Sequence, residues 1–80
     1  MGEEDGDLLV DGRWLLPPEP MERVLTALET LSPGRRLRFL LHREPYPLYG
    51  ILDGMGFRHE TRPIEDQCFE ILIEARKRGS

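Results

Sequence analysis

The side chains in this sequence that are suited to metal binding lie far apart along the chain. His42, Glu44, His59 and Cys68 are of the types that ligate metals, but none stands at a recognised spacing such as Cys-x-x-Cys or His-x-x-x-His. His42 ends one predicted strand, and His59 lies in another strand on the opposite predicted face. We therefore expect no metal site and no cofactor. His42 is interpreted either as a polar partner of Glu44 or as a strand-end histidine hydrogen-bonded to a loop.

Recognised catalytic arrangements are also missing from the sequence. It contains no Ser-His-Asp pattern, no glycine-rich phosphate loop and no paired-carboxylate signature. The single cysteine, Cys68, cannot form an internal disulfide, and we interpret it as a partly buried, inert thiol. The sequence therefore predicts a protein that is not an enzyme.

Residues 14–24, WLLPPEPMERV, crowd three prolines into a predicted helix start. Proline is favoured at the first helical position because its φ is already set, and Glu19 complements the positive end of the helix. This helix start is nevertheless a poor anion site, because three of its residues lack a backbone donor: Pro17, Pro18 and Pro20. The stretch is interpreted as a rigid helix start, or as a stiff, exposed surface from Trp14 to Pro17 that a partner could contact.

Hydrophobic periodicity predicts six elements in the order β-α-β-α-β-β. The strands are expected at residues 8–13, 35–42, 57–63 and 68–75, and the helices begin near Pro18 and near Pro47. The first helix has an apolar stripe of Met21, Val24, Leu25, Leu28 and Leu31. The apolar stripe of the second helix is Leu48, Ile51, Leu52 and Met55.

The order of these elements predicts the fold class. The first two strands are joined through a helix and should be parallel, whereas the last two are joined by a short turn and should form an antiparallel hairpin. We expect an α+β two-layer sandwich, with two helices on one face of a mixed four-stranded sheet. The other face of the sheet is predicted to be open and to carry Arg36, Arg38, His42, Arg58, Glu60, Arg62, Cys68 and Glu70.

Length and charge limit the remaining possibilities. Eighty residues suggest one domain over 8–75, with a disordered acidic lead at 1–7 and a basic tail at 76–80. The net charge of -4 at pH 7 disfavours a nucleic-acid carrier. No apolar run approaches the roughly 20 residues that a membrane helix needs. We expect no secretory signal at the acidic N-terminus, and the single cysteine favours a reducing, cytoplasmic setting.

Several segments resemble a known group of small proteins. DGRWLLPPEPMERVLTAL resembles the first strand, loop and helix of the sulfur carriers of the TusA/SirA type, which have a Cys-Pro-x-Pro motif at the start of the first helix. More closely, PPEP, LSPGRRLRFLLHREPYPLYGILDGMGF and the closing strand resemble the DUF2249 branch of that fold. Members of this branch often have PPxP in place of the cysteine motif. They also have a polar-Pro-x-Pro-Leu-Tyr segment, which corresponds here to residues 44–49.

The resemblance implies the carrier fold without the carrier chemistry. Pro17 stands where the carriers have their cysteine, at a helix start that favours a thiolate, so sulfur transfer from that position is excluded. Relatives occur beside hemerythrin-like or other redox and metal-handling modules, which implies a sulfur, metal or redox-related context. We expect a non-catalytic binding or adaptor domain that contacts a protein partner or a small ligand. Residual sulfur transfer through Cys68 is an alternative.

The predicted contact region joins the first loop to the ends of the second strand and the start of the second helix. The carboxyl ends of the first two strands meet at one edge of the sheet, where ligands gather in α/β folds. The residues expected there are Arg13, Trp14, Pro17, Glu19, His42, Glu44 and Tyr46. An alternative is RNA binding by the open face, since the fold is similar to the C-terminal domain of a bacterial translation initiation factor. That face would use Arg36, Arg38, Arg58 and Arg62, although acidic neighbours and the net negative charge oppose it.

Overall fold

A computed structural model describes residues 7–75 and has the predicted β-α-β-α-β-β order. The strands are β1 (Leu8–Asp11), β2 (Arg36–Leu41), β3 (Phe57–Ile64) and β4 (Cys68–Ala75), and they form one sheet in the order β1-β2-β4-β3. β1 is parallel to β2, and β4 is antiparallel to both β2 and β3. The predicted mixed sheet is confirmed. The predictions for residues 1–6 and 76–80 lie outside the described residues.

Two helices cover one face of this sheet. Helix α1 (Glu19–Leu28) packs over β1 and β2, and helix α2 (Tyr46–Met55) packs over β3. Both helices share one core with the central strands, formed mainly by Val24, Leu28, Leu37, Phe39, Leu41, Leu48, Leu52, Ile71 and Ile73. The predicted two-layer sandwich is therefore confirmed.

The element boundaries differ from the predictions by a few residues. β1 ends at Asp11 rather than at Arg13, and α2 begins one residue before Pro47. α1 ends at Leu28, because the amides of the next three residues bond to carbonyls three positions back and tighten the chain into a turn. Leu31, the last residue of the predicted stripe, thus follows the helix but is still buried.

Half of the predicted apolar stripe of α2 is wrong. Leu48 and Leu52 are fully buried, but Ile51 and Met55 are exposed. Tyr49, rather than Ile51 or Met55, packs against the core. The hydroxyl of Tyr49 is bonded to two polar groups near β3, and these bonds hold that side of the helix against the sheet.

The open face of the sheet differs from the prediction at two positions on β4. The alternation predicts Cys68 and Glu70 on the open face, but both are buried, with exposed fractions of 0% and 1%. Arg38 and Arg62 lie on either side of Glu70 and cover its carboxylate. The Cys68 thiol lies under the turn at Glu65–Gln67 and donates to the Asp66 carbonyl at 3.5 Å.

Candidate binding pocket

Close packing at Gly12 positions the first loop. The Gly12 amide donates to the Leu40 carbonyl at 2.7 Å, which continues the β1–β2 ladder by one residue. A Cβ at Gly12 would lie 3.0 Å from Phe39 Cε1 and 3.2 Å from Pro20 Cβ, so a larger residue would push them apart. This close approach sets the start of α1 beside the end of β2.

Trp14 is held at the end of β2 by His42. Its backbone N–H donates to His42 Nδ1 at 3.2 Å, and the indole stacks on the imidazole with ring centres 5.4 Å apart. Because Nδ1 accepts this bond, the imidazole carries its proton on Nε2. His42 is therefore a strand-end histidine bonded to a loop, as one of the two interpretations predicted, and not the partner of Glu44.

A pocket of about 380 Å³ lies between the starts of the two helices. Its size is within the range typical of ligand pockets. Phe39 and Leu41 of β2 line it from the sheet, and Leu15 and Met21 line it from the first loop and α1. Its remaining lining includes five prolines, which are Pro17, Pro18, Pro20, Pro45 and Pro47. The bond between Pro17 and Pro18 is cis. The polar part of the lining is His42, Arg43, Glu44 and Tyr46.

Hydrogen bonds and a ring stack fix Glu44 beside this pocket. The Tyr49 hydroxyl donates to Glu44 Oε2 at 3.0 Å and lies 2.6 Å from Thr61 Oγ1. The Tyr49 ring stacks on His59, whose Nε2 lies 2.9 Å from Asp53 Oδ1. Burial, the largest influence, raises the pKa of Tyr49 above its ordinary value. These contacts attach the start of α2 to β3.

Tyr49 was not among the predicted site residues, although it positions two of them. Besides binding Glu44, it meets the ring of Tyr46 edge to face, with ring centres 6.1 Å apart. The neighbouring Glu44 side chain raises the pKa of Tyr46 above its ordinary value. The available signal was the three-residue spacing of the tyrosines, which places them on one side of a helix.

The structure brings most of the predicted contact residues together. Pro17, His42, Glu44 and Tyr46 line the pocket, and Trp14 contacts His42. Two predicted residues lie elsewhere, Arg13 and Glu19. The Arg13 side chain bonds to Asp11 and lowers the pKa of that carboxyl. Glu19 pairs with Arg23 at 2.9 Å, four residues along α1, and faces a separate groove beside β1.

The arginines of the alternative RNA face are matched by acidic groups. Arg38 Nε and Arg62 Nε lie 2.5 and 2.6 Å from the two carboxylate oxygens of Glu70. Burial acts to raise the pKa of Glu70, but the hydrogen bonds from both arginines outweigh it, and the net pKa is below its ordinary value. Arg36 Nε lies 3.3 Å from Asp7 Oδ1, and the strand register places Arg58 opposite Glu74. Positive and negative charges therefore alternate over this face.

Two further features bear on the expected partners. Within residues 7–75, no three His, Cys, Asp or Glu side chains cluster closely enough to hold a metal ion. Neither of the two helices in the same part of the chain is long and apolar enough to cross a membrane.

Comparisons with known proteins agree with this architecture. The model of a family described as "Uncharacterized conserved protein (DUF2249)" matches residues 9–75. The chain is also similar to the crystal structure of a SirA-like protein from Desulfitobacterium hafniense, with a TM-score of 0.75 and 22% sequence identity. That likeness covers 88% of this chain and 99% of the other, and at this identity it shows the fold alone. No curated protein matches the chain.

Proposed function

This chain belongs to the DUF2249 family, and we propose that it is a non-catalytic domain that binds a protein partner through the pocket between α1 and α2. One observation carries this proposal: large apolar side chains remain exposed around an apolar pocket. Trp14, Leu16 and Tyr46 are 68%, 79% and 69% exposed. Exposed apolar side chains that cluster around a concave site are typical of interaction surfaces.

A protein partner fits this arrangement better than a small ligand does. A small molecule inside the pocket would leave the outer faces of Trp14 and Leu16 in water. A protein surface would cover them, and aromatic residues beside a pocket are frequent anchors of such interfaces. The sulfur, metal or redox-related context implied by the family resemblance belongs to this proposal as the setting of the partner.

Two side chains near the end of β2, Pro17 and Cys68, support binding rather than catalysis. Pro17 lines the pocket and has no nucleophile. Cys68 has a thiol, but it is fully buried and its Sγ donates to the Asp66 carbonyl. Sulfur transfer through Cys68 would require the turn at Glu65–Gln67 to open first.

Binding of a neutral apolar dye, N-phenylnaphthylamine, tests whether the pocket accepts a guest. The fluorescence of this dye rises when it leaves water. We expect the wild-type protein to bind it and Met21→Trp, which fills the pocket from α1, to lose most of that affinity. Thr26→Trp is the matched control, because Thr26 is exposed on the same helix and lines the groove beside β1 instead. Equal dye binding by the wild type and Met21→Trp would contradict the proposed site.

A further inference from the structure

The walls of the pocket indicate which side chain of a partner it accepts. We infer that the guest is an aromatic side chain of the partner protein, next to an acidic residue in the partner's sequence. This inference rests on the proposed function. The aromatic ring would occupy the pocket between the helix starts. The acidic residue would pair with Arg43, which lines the same pocket.

The backbone around the pocket offers no free donors to an anionic guest. Helix starts bind anions through free N–H groups, but four residues at these two helix starts have none: Pro18, Pro20, Pro45 and Pro47. Three neighbouring amides are already bonded at 2.9 to 3.1 Å, from Glu19 to Leu16, from Tyr46 to Glu44 and from Leu48 to Pro45. A carboxylate or phosphate would lose its hydration here without gaining these donors.

The same helix starts favour the face of an aromatic ring. Each helix has a partial positive charge at its first turn, and two such ends border this pocket. The face of an aromatic ring is negative, so it is complementary to the apolar part of the lining, which lies beside two positive helix starts and has no free backbone donors. The exposed rings of Pro17, Pro18 and Pro47 offer apolar contact to such a guest. A saturated side chain of equal size would fill the volume but lack the electrostatic complementarity.

Arg43 indicates the charge that accompanies the ring. Its side chain is exposed, and no described residue is hydrogen-bonded or ion-paired with it. A shallow groove lined by His42, Arg43, Glu44, Tyr46 and Phe69 continues from the pocket. A partner segment that leaves the pocket along this groove passes Arg43. Glu44, the acidic side chain of this groove, already accepts a hydrogen bond from Tyr49, whereas the charge of Arg43 has no such partner within residues 7–75. Charge complementarity therefore favours an acidic residue adjacent to the aromatic one.

Short capped peptides that compete with N-phenylnaphthylamine test this inference. The test peptide is Gly-Phe-Glu-Gly, and its two matched versions carry cyclohexylalanine for Phe or Gln for Glu. We expect the Phe peptide to bind roughly three- to tenfold more tightly than the cyclohexylalanine peptide. We also expect the Gln peptide to bind more weakly than the Glu peptide to the wild type, and this difference to vanish in Arg43→Ala. Arg58→Ala, on the open sheet face, is the control that should keep the difference.

Each other outcome overturns a defined part of the account. Equal binding of the Phe and cyclohexylalanine peptides overturns the aromatic guest, while dye binding still supports the proposed pocket. Equal binding of the Glu and Gln peptides to the wild type overturns the acidic neighbour. Free phenol that competes as strongly as the Phe peptide overturns a protein partner as the source of the ring. If the dye itself does not bind, the proposed function fails, and not only this inference.

Discussion

The imidazole of His42 stacks on the indole of Trp14 and accepts the Trp14 backbone N–H at 3.2 Å. The two residues are 28 positions apart, and the parallel pairing of β1 with β2 brings them together. Trp14 has a φ of 68°, a conformation that costs free energy for a bulky residue. The contacts with His42 compensate for this cost and keep the indole stacked on a residue that lines the pocket.

Removing the His42 ring should therefore loosen the first loop. We expect His42→Ala to lower the free energy of unfolding by about 1–2 kcal/mol, because it removes one hydrogen bond and one ring stack. The fluorescence of the single tryptophan should change in the folded state. Urea unfolding followed by circular dichroism, together with the Trp14 emission spectrum, provides the measurement.

His42→Asn separates the two contributions. The Asn side chain offers an acceptor to the Trp14 amide but no ring to the indole, so its stability should lie between those of the wild type and His42→Ala. Wild-type stability and wild-type emission for His42→Ala would show that the Trp14–His42 contact does not hold the loop.

Gly12 should not tolerate a side chain. A Cβ at this position meets Phe39 Cε1 at 3.0 Å and Pro20 Cβ at 3.2 Å. We expect Gly12→Ala to lower the free energy of unfolding by about 1–3 kcal/mol, since overpacking forces the start of α1 away from β2. The same variant should also bind N-phenylnaphthylamine more weakly, because Pro20 and Phe39 line the pocket.

Gly50 provides the matched control for Gly12. It is exposed within α2, and a Cβ there has no neighbour within 4 Å. Gly50→Ala should stabilise the protein by about 0.5–1 kcal/mol, because alanine suits a helix better than glycine does. If Gly12→Ala is as stable as Gly50→Ala in thermal unfolding, the close approach at Gly12 is not rigid.

The charge of Glu70 should contribute to stability above acidic pH. Its folded pKa lies below its ordinary value of 4.5, so its contribution is present above that value and is lost as the pH falls through the folded pKa. We expect Glu70→Gln to lower the free energy of unfolding by about 2 kcal/mol at neutral pH, because the charged hydrogen bonds to Arg38 and Arg62 are weakened.

A pH series of urea unfolding checks the assignment to Glu70. The difference between Glu70→Gln and the wild type should shrink below pH 4.5, where the wild-type carboxyl also becomes neutral. Glu60→Gln is the control, since Glu60 is exposed on the same face and should change stability little. A difference that stays constant with pH would contradict this assignment.

Cys68 should react slowly in the folded protein. Its side chain is fully buried and its Sγ donates to the Asp66 carbonyl. An aromatic disulfide reagent that releases a coloured thiolate should label the unfolded chain rapidly and the native chain far more slowly. Rapid labelling of the native protein, or mass-spectrometric detection of a persulfide that Cys68→Ser lacks, would support sulfur transfer instead.

The sheet, the helices and most of the core were predictable because each follows from a local pattern. The alternation of Leu37, Phe39 and Leu41 marks one buried strand face, and all three are buried. The predicted apolar stripe of α2 is wrong at Ile51, because the hydroxyl bonds of Tyr49 set which side of the helix faces the sheet. Hydrophobic periodicity does not record such bonds. A pattern of alternating residues likewise does not show that Glu70 is covered by arginines from two neighbouring strands.

The candidate pocket was predictable only in outline. Adjacent strand ends indicated that the first loop meets the start of the second helix, and Pro17 and His42 do line one pocket. The position of Glu19 was missed although a signal was available, because the i, i+4 spacing of Glu19 and Arg23 places both on one side of α1, which faces the groove beside β1. The sequence could not identify Phe39 as part of the lining, since a core residue and a pocket residue look alike in sequence.

Amide chemical shifts during titration with the Gly-Phe-Glu-Gly peptide show directly whether the pocket between α1 and α2 is the binding site. We expect perturbed amides to cluster at residues 14–21 and 39–49, and we expect Met21→Trp to abolish the perturbations while Thr26→Trp keeps them. Perturbations centred instead on Arg36, Arg38, Arg58 and Arg62 would place binding on the open sheet face and would contradict the pocket as the site.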